Sequence, residues 1–233
     1  MFSASSRAYQ EMTSSPIIFV TGTDTDVGKT FISSLLVHSW SANYWKPVQT
    51  GIESDQGDTK TVLQFSGKSS WSPTLFPPRY ELLKPLSPYK AMEFEPQVDI
   101  KLQDFQIPQN SDERPLIVEG AGGIYVPITK KLEITTDLIK HLIQSTKRPV
   151  KIVVVARSGL GTLNHTLLTW EYLRSAGLQD HLLGCVVNGP ANSGNVEVMR
   201  DYGVTILAEV DQCDSSEMVT RALERIPKLE TIL

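Results

Sequence analysis

Residues 21–30 read TGTDTDVGKT and follow the apolar run Ile17–Val20. From Thr23 to Thr30 the spacing ends in G-K-T, as in a phosphate-binding loop of the form G-x-x-x-x-G-K-[ST]. Thr23 stands in place of the first glycine, and Gly22 lies one residue earlier. A strand, this loop and a helix starting near Lys29 would turn backbone N–H groups and the helix N-terminus towards phosphate oxygens. Lys29 is then placed for the β- and γ-phosphates, and Thr30 for Mg2+. An ordinary strand–turn–helix with a capping threonine is the plainer account of G-K-T, but the flanking strand and helix patterns favour nucleotide. Asp24 and Asp26 are the anomaly, because carboxylates beside a triphosphate are unfavourable unless a cation sits between them. Asp24 reads either as a loop residue bonded to its own backbone or, like Asp26, as a candidate to face a cationic substrate.

Two further positions carry chemistry by type and place. Glu119 closes the apolar run PLIVEG and suits a Mg2+ ligand beside a phosphate loop. The following GAGG lets backbone N–H groups approach a ligand closely. Lys46 follows one apolar run and precedes Pro47, where a parallel sheet presents ligands; a solvated surface lysine is the alternative.

These residues need a frame. Short β-branched runs at 16–22, 43–48, 114–122, 148–156, 182–189 and 203–210 alternate with helical patterns at 29–40, 58–66, 136–146, 163–176, 194–202 and about 215–226. Near-continuous apolar strands separated by helices predict an α/β fold, a doubly wound, mainly parallel sheet covered on both faces. Ligands in such folds bind at the carboxyl ends of strands, and each motif above falls at such an end. Residues 67–113 hold seven of the fourteen prolines and predict a long surface excursion, a lid or interface segment. The expected organisation is a disordered tail over residues 1–15, Ser-rich and without a hydrophobic signal core, then one P-loop domain over 16–233.

Composition agrees with an ordinary soluble globular protein: 233 residues, 40% hydrophobic and 21% charged. A net charge of −4 gives no electrostatic footprint for nucleic acid. No apolar run reaches the roughly 20 residues needed to span a bilayer. Cys185, in LLGCVV, reads as a small buried hydrophobe; with Cys213 it forms neither a disulfide framework nor a zinc pattern, and a reducing cytoplasm is expected.

GTDTDVGKT resembles the G-T-D-T-x-V-G-K-T signature of dethiobiotin synthetases. Four more stretches are similar to that family in family order: YWKPVQTG (44–51), PLSPY (85–89), VEGAGG (118–123) and LGTLNHTLLT (160–169). The resemblance covers residues 17 to about 190.

It implies a reaction that joins 7,8-diaminononanoate and CO2 into a cyclic urea at the expense of ATP. One amine takes up CO2, the carbamate attacks the γ-phosphate, and the second amine closes the ring and expels phosphate. Two anions meet in that transfer, so cations and aligned N–H donors matter more than a nucleophilic side chain. By resemblance Lys46 is the lysine that holds carbamate and γ-phosphate together, beside Lys29. Asp26, Val27, Gly28, Lys29 and Thr30 would bind nucleotide, together with Glu119, Gly120, Ala121, Gly122, Asn188 and Gly189. Asn188, in VVNGP, matches the family residue that reads adenine, although an Asn-Gly turn is common. Thr25, Lys46, Thr50, Gly122, Gly123 and Asn164 would bind diamine or carbamate. Asn164 would take the substrate carboxylate near a homodimer interface. Mg2+ would be held by Thr30, Glu119 and an aspartate that is Asp55 or Asp58. Asp58 is preferred because it also caps the helix predicted from Thr59. His165, early in a helix, is read as packed or capping.

The chain departs from the family in three places. Asp26 stands where many members have glutamate. Asp211, in AEVDQCD, replaces a proline beside the nucleotide base, which leaves base preference open. A tyrosine that some members use for the substrate carboxylate has only Tyr202 as a candidate counterpart. The main rival is a partition- or maturation-type P-loop ATPase that switches a protein partner. Such loops usually carry an additional lysine, and TDTDVG has none.

Overall fold

In the computed structural model, which describes residues 15–54, 56–66, 72–109, 112–211 and 216–233, strand β1 (Ile17–Gly22) is buried at all six positions. Its β-branched and aromatic residues suit a strand covered on both faces. β1 pairs in parallel with β6 (Leu116–Gly123) on one edge and β7 (Val150–Arg157) on the other. The full order is β4-β2-β6-β1-β7-β8-β9, with β2 at Asn43–Trp45, β4 at Leu75–Phe76, β8 at Leu182–Asn188 and β9 at Ile206–Val210. The chain winds outward from β1 in both directions, so the open crevice lies at the carboxyl ends of β1, β2 and β6.

Alternation along β1 sorts the core into two layers. Ile18 and Val20 join Ile32, Leu35 and Leu36 of helix α1 (Lys29–Ser39), Val62 of α2 (Asp58–Ser66) and Ala222 of α7 (Ser216–Arg225). Ile17 and Phe19 join Leu138 and Leu142 of α4 (Thr135–Ser145), Trp170 and Leu173 of α5 (Thr162–Leu173), and Val196 and Met199 of α6 (Ser193–Asp201). Each of the buried Val, Leu, Ile, Phe and Met side chains contributes about 1.5–3 kcal/mol. Helices therefore cover both faces, as the alternation of runs predicts.

Two boundaries differ from the sequence expectation. The run 43–48 is not one strand. It breaks after Trp45, and the chain re-forms as β3 (Val48–Thr50), which pairs in parallel with β5 (Tyr80–Leu82) in a second, two-stranded sheet. Pro47 has no N–H for a ladder and restricts Lys46 before it. The Pro47 carbonyl instead accepts from the backbone of Arg79 and Tyr80. Lys46 thus stands where the chain leaves the main sheet. The helix expected over 163–176 ends at Leu173 in a widened turn, Arg174–Leu178, with Gly177 at φ 80°.

The described part of 67–113 is more than a surface excursion. It supplies the edge strand β4, strand β5 and a short helix α3 (Pro88–Ala91) capped by Ser87. Leu82, Met92, Ile100 and Phe105 are buried in the core. The prolines remove helical periodicity from the sequence without removing the apolar residues that pack. Residues 1–14 of the expected tail lie outside the described residues; Ser15 is held by Arg148, whose Nε donates to its carbonyl at 2.7 Å. Among the described residues no helix is long and apolar enough to cross a membrane.

Candidate active site

The phosphate loop leaves the carboxyl end of β1 and enters α1 through Gly28, at φ 92°. Only glycine fits there: a Cβ would lie 2.1 Å from Asn188 Nδ2. That amide, at the end of β8, donates to the Val27 carbonyl at 3.0 Å. Its Oδ1 is buried without a hydrogen-bond partner. Lys29 Nζ donates to the Asp24 carbonyl at 3.0 Å. Burial pushes the Lys29 pKa below its usual value, with Glu119 opposing.

Asp24 is accounted for within the protein. One carboxylate oxygen accepts from the Thr25 N–H at 2.7 Å, and the other meets Arg157 Nη2 at 2.7 Å. The backbone reading of Asp24 holds, and its charge meets an arginine from the end of β7. Asp26, at φ 57°, borders the cleft.

Glu119 gathers the rest. Its Oε1 accepts from Thr30 Oγ1 at 2.8 Å and from Lys46 Nζ at 3.0 Å, and its Oε2 accepts from Tyr44 OH at 3.0 Å. Lys46 is also ion-paired with Asp58. Burial alone would depress the Lys46 pKa, but Glu119 and Asp58 outweigh it and hold the ammonium above its usual range. Burial, then Glu119, push the Tyr44 phenol well above its usual value. Asp58 is the first residue of α2, not its cap. The Gly57 carbonyl accepts from the N–H groups of Lys60 and Thr61, and the Asp58 N–H donates to Gln49 Oε1 at 3.0 Å. The Asp58 carboxylate faces Lys46 instead. Asp55 lies outside the described residues.

Thr30, Asp58 and Glu119 offer only hard oxygen donors; the two carboxylates converge on the Lys46 ammonium, and the Thr30 hydroxyl bonds Glu119. Among the described residues no group of three or more His, Cys, Asp or Glu forms a closed metal cage. Two carboxylates and a hydroxyl fit Mg2+, which keeps waters and takes substrate phosphate oxygens, better than a fully protein-liganded ion.

These groups line a cleft of about 620 Å3. It brings together Thr25, Asp26, Gly28, Lys29, Thr30, Lys46, Thr50, Asp58, Glu119, Ala121 and Gly122. Pro85, Leu86, Pro88 and Val126 form its apolar wall. Val27 is buried behind the loop; Gly120 packs on Phe19, and Gly123 on the Gly22 carbonyl. Gly189 lines a separate cavity of about 310 Å3, with Asn192, Glu209, Asp211 and Arg225. Asn164 is exposed on α5, away from both. Tyr202 is exposed after α6. Sequence reasoning missed Tyr44, Gln49 and Arg157. Tyr44 and Arg157 look like strand filler, and Gln49 like a turn polar group.

A family model described as an AAA domain matches residues 17–220. The ATP-dependent dethiobiotin synthetase BioD of Paramagnetospirillum magneticum (strain ATCC 700264 / AMB-1) is 43% identical over 194 residues, covering 83% of this chain and 86% of that protein. The biotin biosynthesis bifunctional protein BioCD of Bordetella avium (strain 197N) is 39% identical over 219 residues, 93% of this chain; the chain spans 44% of that relative's length. Among solved structures, a ParA family ATPase from Chlorobium tepidum TLS aligns over 91% of this chain and 89% of its own, at 9% identity and a TM-score of 0.48.

Proposed function

The chain belongs to the dethiobiotin synthetase family, the ATP-dependent ligases of biotin biosynthesis, and we infer that its cleft converts 7,8-diaminononanoate, CO2 and ATP into dethiobiotin, ADP and phosphate. The observation that carries this reading is the convergence of Lys29, Lys46, Thr30, Asp58 and Glu119 on one cleft with an apolar wall.

The wall of Pro85, Leu86, Pro88 and Val126 suits the methylene chain of the diamine. One amine adds to CO2 to give a carbamate. Thr25, Thr50 and the backbone N–H groups of 119–123 hold it, with Gly122 and Gly123 admitting close approach. A carbamate oxygen attacks the γ-phosphorus, and the bond to ADP breaks. Lys46 lies between carbamate and γ-phosphoryl and offsets their repulsion; Lys29 does so for the β- and γ-oxygens. The second amine then attacks the carbamoyl carbon, the bond to phosphate breaks, and the urea ring closes. Thr30, Asp58 and Glu119 would hold Mg2+, which supplies charge neutralisation to the phosphates.

The loop N–H groups of Asp26 to Thr30 cradle phosphate, with Gly120 and Ala121 bordering it. The unpaired Asn188 Oδ1 is an acceptor for an adenine amine, beside Gly189. The reading takes residues 16–233 as one P-loop domain, supported by the one seven-stranded sheet and its two packed layers.

A homodimer is part of the reading. Asn164, Leu168 and Tyr172 recur every four residues down one side of α5, and Leu160 lies just before the helix. Leu160 is fully exposed, Leu168 63% and Tyr125 69%, and the Tyr125 ring packs edge-on to Tyr172 at 5.1 Å. Apolar surface of this kind marks an interface, and it would carry Asn164 to a partner's substrate carboxylate. A cytoplasmic setting is supported by the free, buried Cys185, whose thiol burial pushes up to about 12.

The test is phosphate release by the purified protein with ATP, Mg2+ and bicarbonate, with and without 7,8-diaminononanoate. Release that requires the diamine is expected. Hydrolysis indifferent to it overturns the reading in favour of a partner-switching ATPase.

A further inference from the structure

We propose that Tyr44 is a positioning residue of the phosphoryl-transfer site: its hydroxyl locks the Glu119 carboxylate with Oε1 turned to the phosphate loop.

The two oxygens of Glu119 are used differently. Thr30 and Lys46 both reach Oε1, while Tyr44 OH is the donor to Oε2. Glu119 and Tyr44 are both buried, so water does not substitute for that donor. The register explains the reach. β2 and β6 run parallel with Tyr44 opposite Ile117. Ile117 and Glu119 point to the same face of β6, because side chains alternate along a strand. A long phenol starting beside Ile117 therefore ends at Glu119.

The ring and the hydroxyl do separate jobs. The ring packs in the layer with Ile18, Val20 and Ile117, a place phenylalanine would fill equally well. Only the hydroxyl meets the site. Without it Oε2 is a buried acceptor lacking its donor, a state costly enough for the carboxylate to turn or shift. Turning breaks the pairing of Oε1 with Thr30 and Lys46. Groups that orient a metal-binding carboxylate in this way typically alter metal affinity about 10- to 100-fold.

This rests on the role proposed above for Glu119 and goes beyond it in assigning the residue that aims it. The experiment is Tyr44→Phe in the full chain, with nucleotide binding titrated against Mg2+. The Mg2+ concentration for half-maximal binding should rise about tenfold or more. ATP binding in EDTA should be unchanged, and kcat should fall while KM for the diamine holds. Adding Tyr44→Phe to Glu119→Gln should then change nothing further. A Tyr44→Phe protein whose Mg2+ midpoint matches the unaltered chain overturns the proposal, as does a full additional loss on top of Glu119→Gln. Absence of diamine-dependent turnover in the unaltered chain strikes the functional reading alone, because the Mg2+ titration of binding still reports on Tyr44.

Discussion

Asp24 in the phosphate loop and Arg157 at the end of β7 meet at 2.7 Å, and the same Asp24 lends its backbone carbonyl to the Lys29 ammonium at 3.0 Å. The arginine therefore holds the residue on which the Lys29 ammonium rests. The pair is nearly half exposed, so its direct worth is about 0.2–1 kcal/mol. Arg157→Ala and Asp24→Asn should each weaken ATP binding about twofold to fivefold. The double variant should be no worse than either single one. Strict additivity in ATP titrations would show that the pair does not act as a unit.

Lys46→Met should bind ATP but lose turnover by about a hundredfold or more, the effect of removing one charge-stabilising donor. It should also melt earlier, because Glu119 and Asp58 are left facing each other; breaking such a buried pair costs about 3–5 kcal/mol. The Lys46 pKa is raised on folding, so its contribution is fully present below the unfolded value and is lost as pH rises through the folded one. The destabilisation should thus be constant from pH 6 to about 9. Melting curves across that range, beside single-turnover assays, decide both halves.

Lys29 runs the opposite way. Its pKa is lowered on folding, chiefly by burial, from an ordinary 10.5. The charged form costs stability below the folded value, and the cost is relieved as pH rises towards the unfolded one. ATP favours the ammonium, so nucleotide affinity should begin to fall at a lower pH than an ordinary lysine would give. Binding in alkaline buffer should take up a proton. Calorimetry in buffers of different ionisation enthalpy measures that uptake; none at all would assign Lys29 full charge throughout.

Gly28→Ala places a methyl against Asn188 Nδ2 and forces a non-glycine residue to φ 92°. The backbone cost alone is about 1–2 kcal/mol. The Asn188–Val27 bond should break as well, so nucleotide affinity should fall at least tenfold. A second substitution, Asn188→Ala, should relieve the clash and recover part of the stability but not the affinity. Unchanged ATP binding by Gly28→Ala would contradict the clamp.

Leu168→Glu puts a charge into the exposed stripe of α5. Sedimentation should show a dimer for the unaltered chain and a monomer for the variant, with KM for the diamine raised through loss of Asn164. A monomeric unaltered chain at working concentration would remove the reason to assign Asn164 to substrate.

The phosphate loop was legible because its determinants are local: Gly28, Lys29 and Thr30 are adjacent, and the turn they need is written in their types. Glu119 was legible as a charge at the end of an apolar run. The strand order was not, since a period of two identifies strands without ordering them. The break at Pro47 is visible only once the ladders are known. Tyr44 and Arg157 read as strand residues because their partners, Glu119 and Asp24, are far away in sequence. Nothing local to Asn188 in the sequence announces that its amide grips the Val27 carbonyl. The core residues Ile100 and Phe105 were hidden by neighbouring prolines that erase periodicity.

The placement of β1 also sets the order in which the molecule can be built. The strand that bears the phosphate loop leaves the ribosome well before its two mates, which begin at Leu116 and Val150. At about 5–20 residues per second, β1 waits several seconds unpaired, with an apolar face on either side. Parallel pairing over such spans is intrinsically slow, because the entropy of closing the chain is lost before the strand contacts offset it. The strand under the phosphate loop is therefore completed late, and a nascent chain ending before β7 lacks the second neighbour of β1 and Arg157, the partner of Asp24. ATP can reward the finished fold by mass action, but it cannot template the early one.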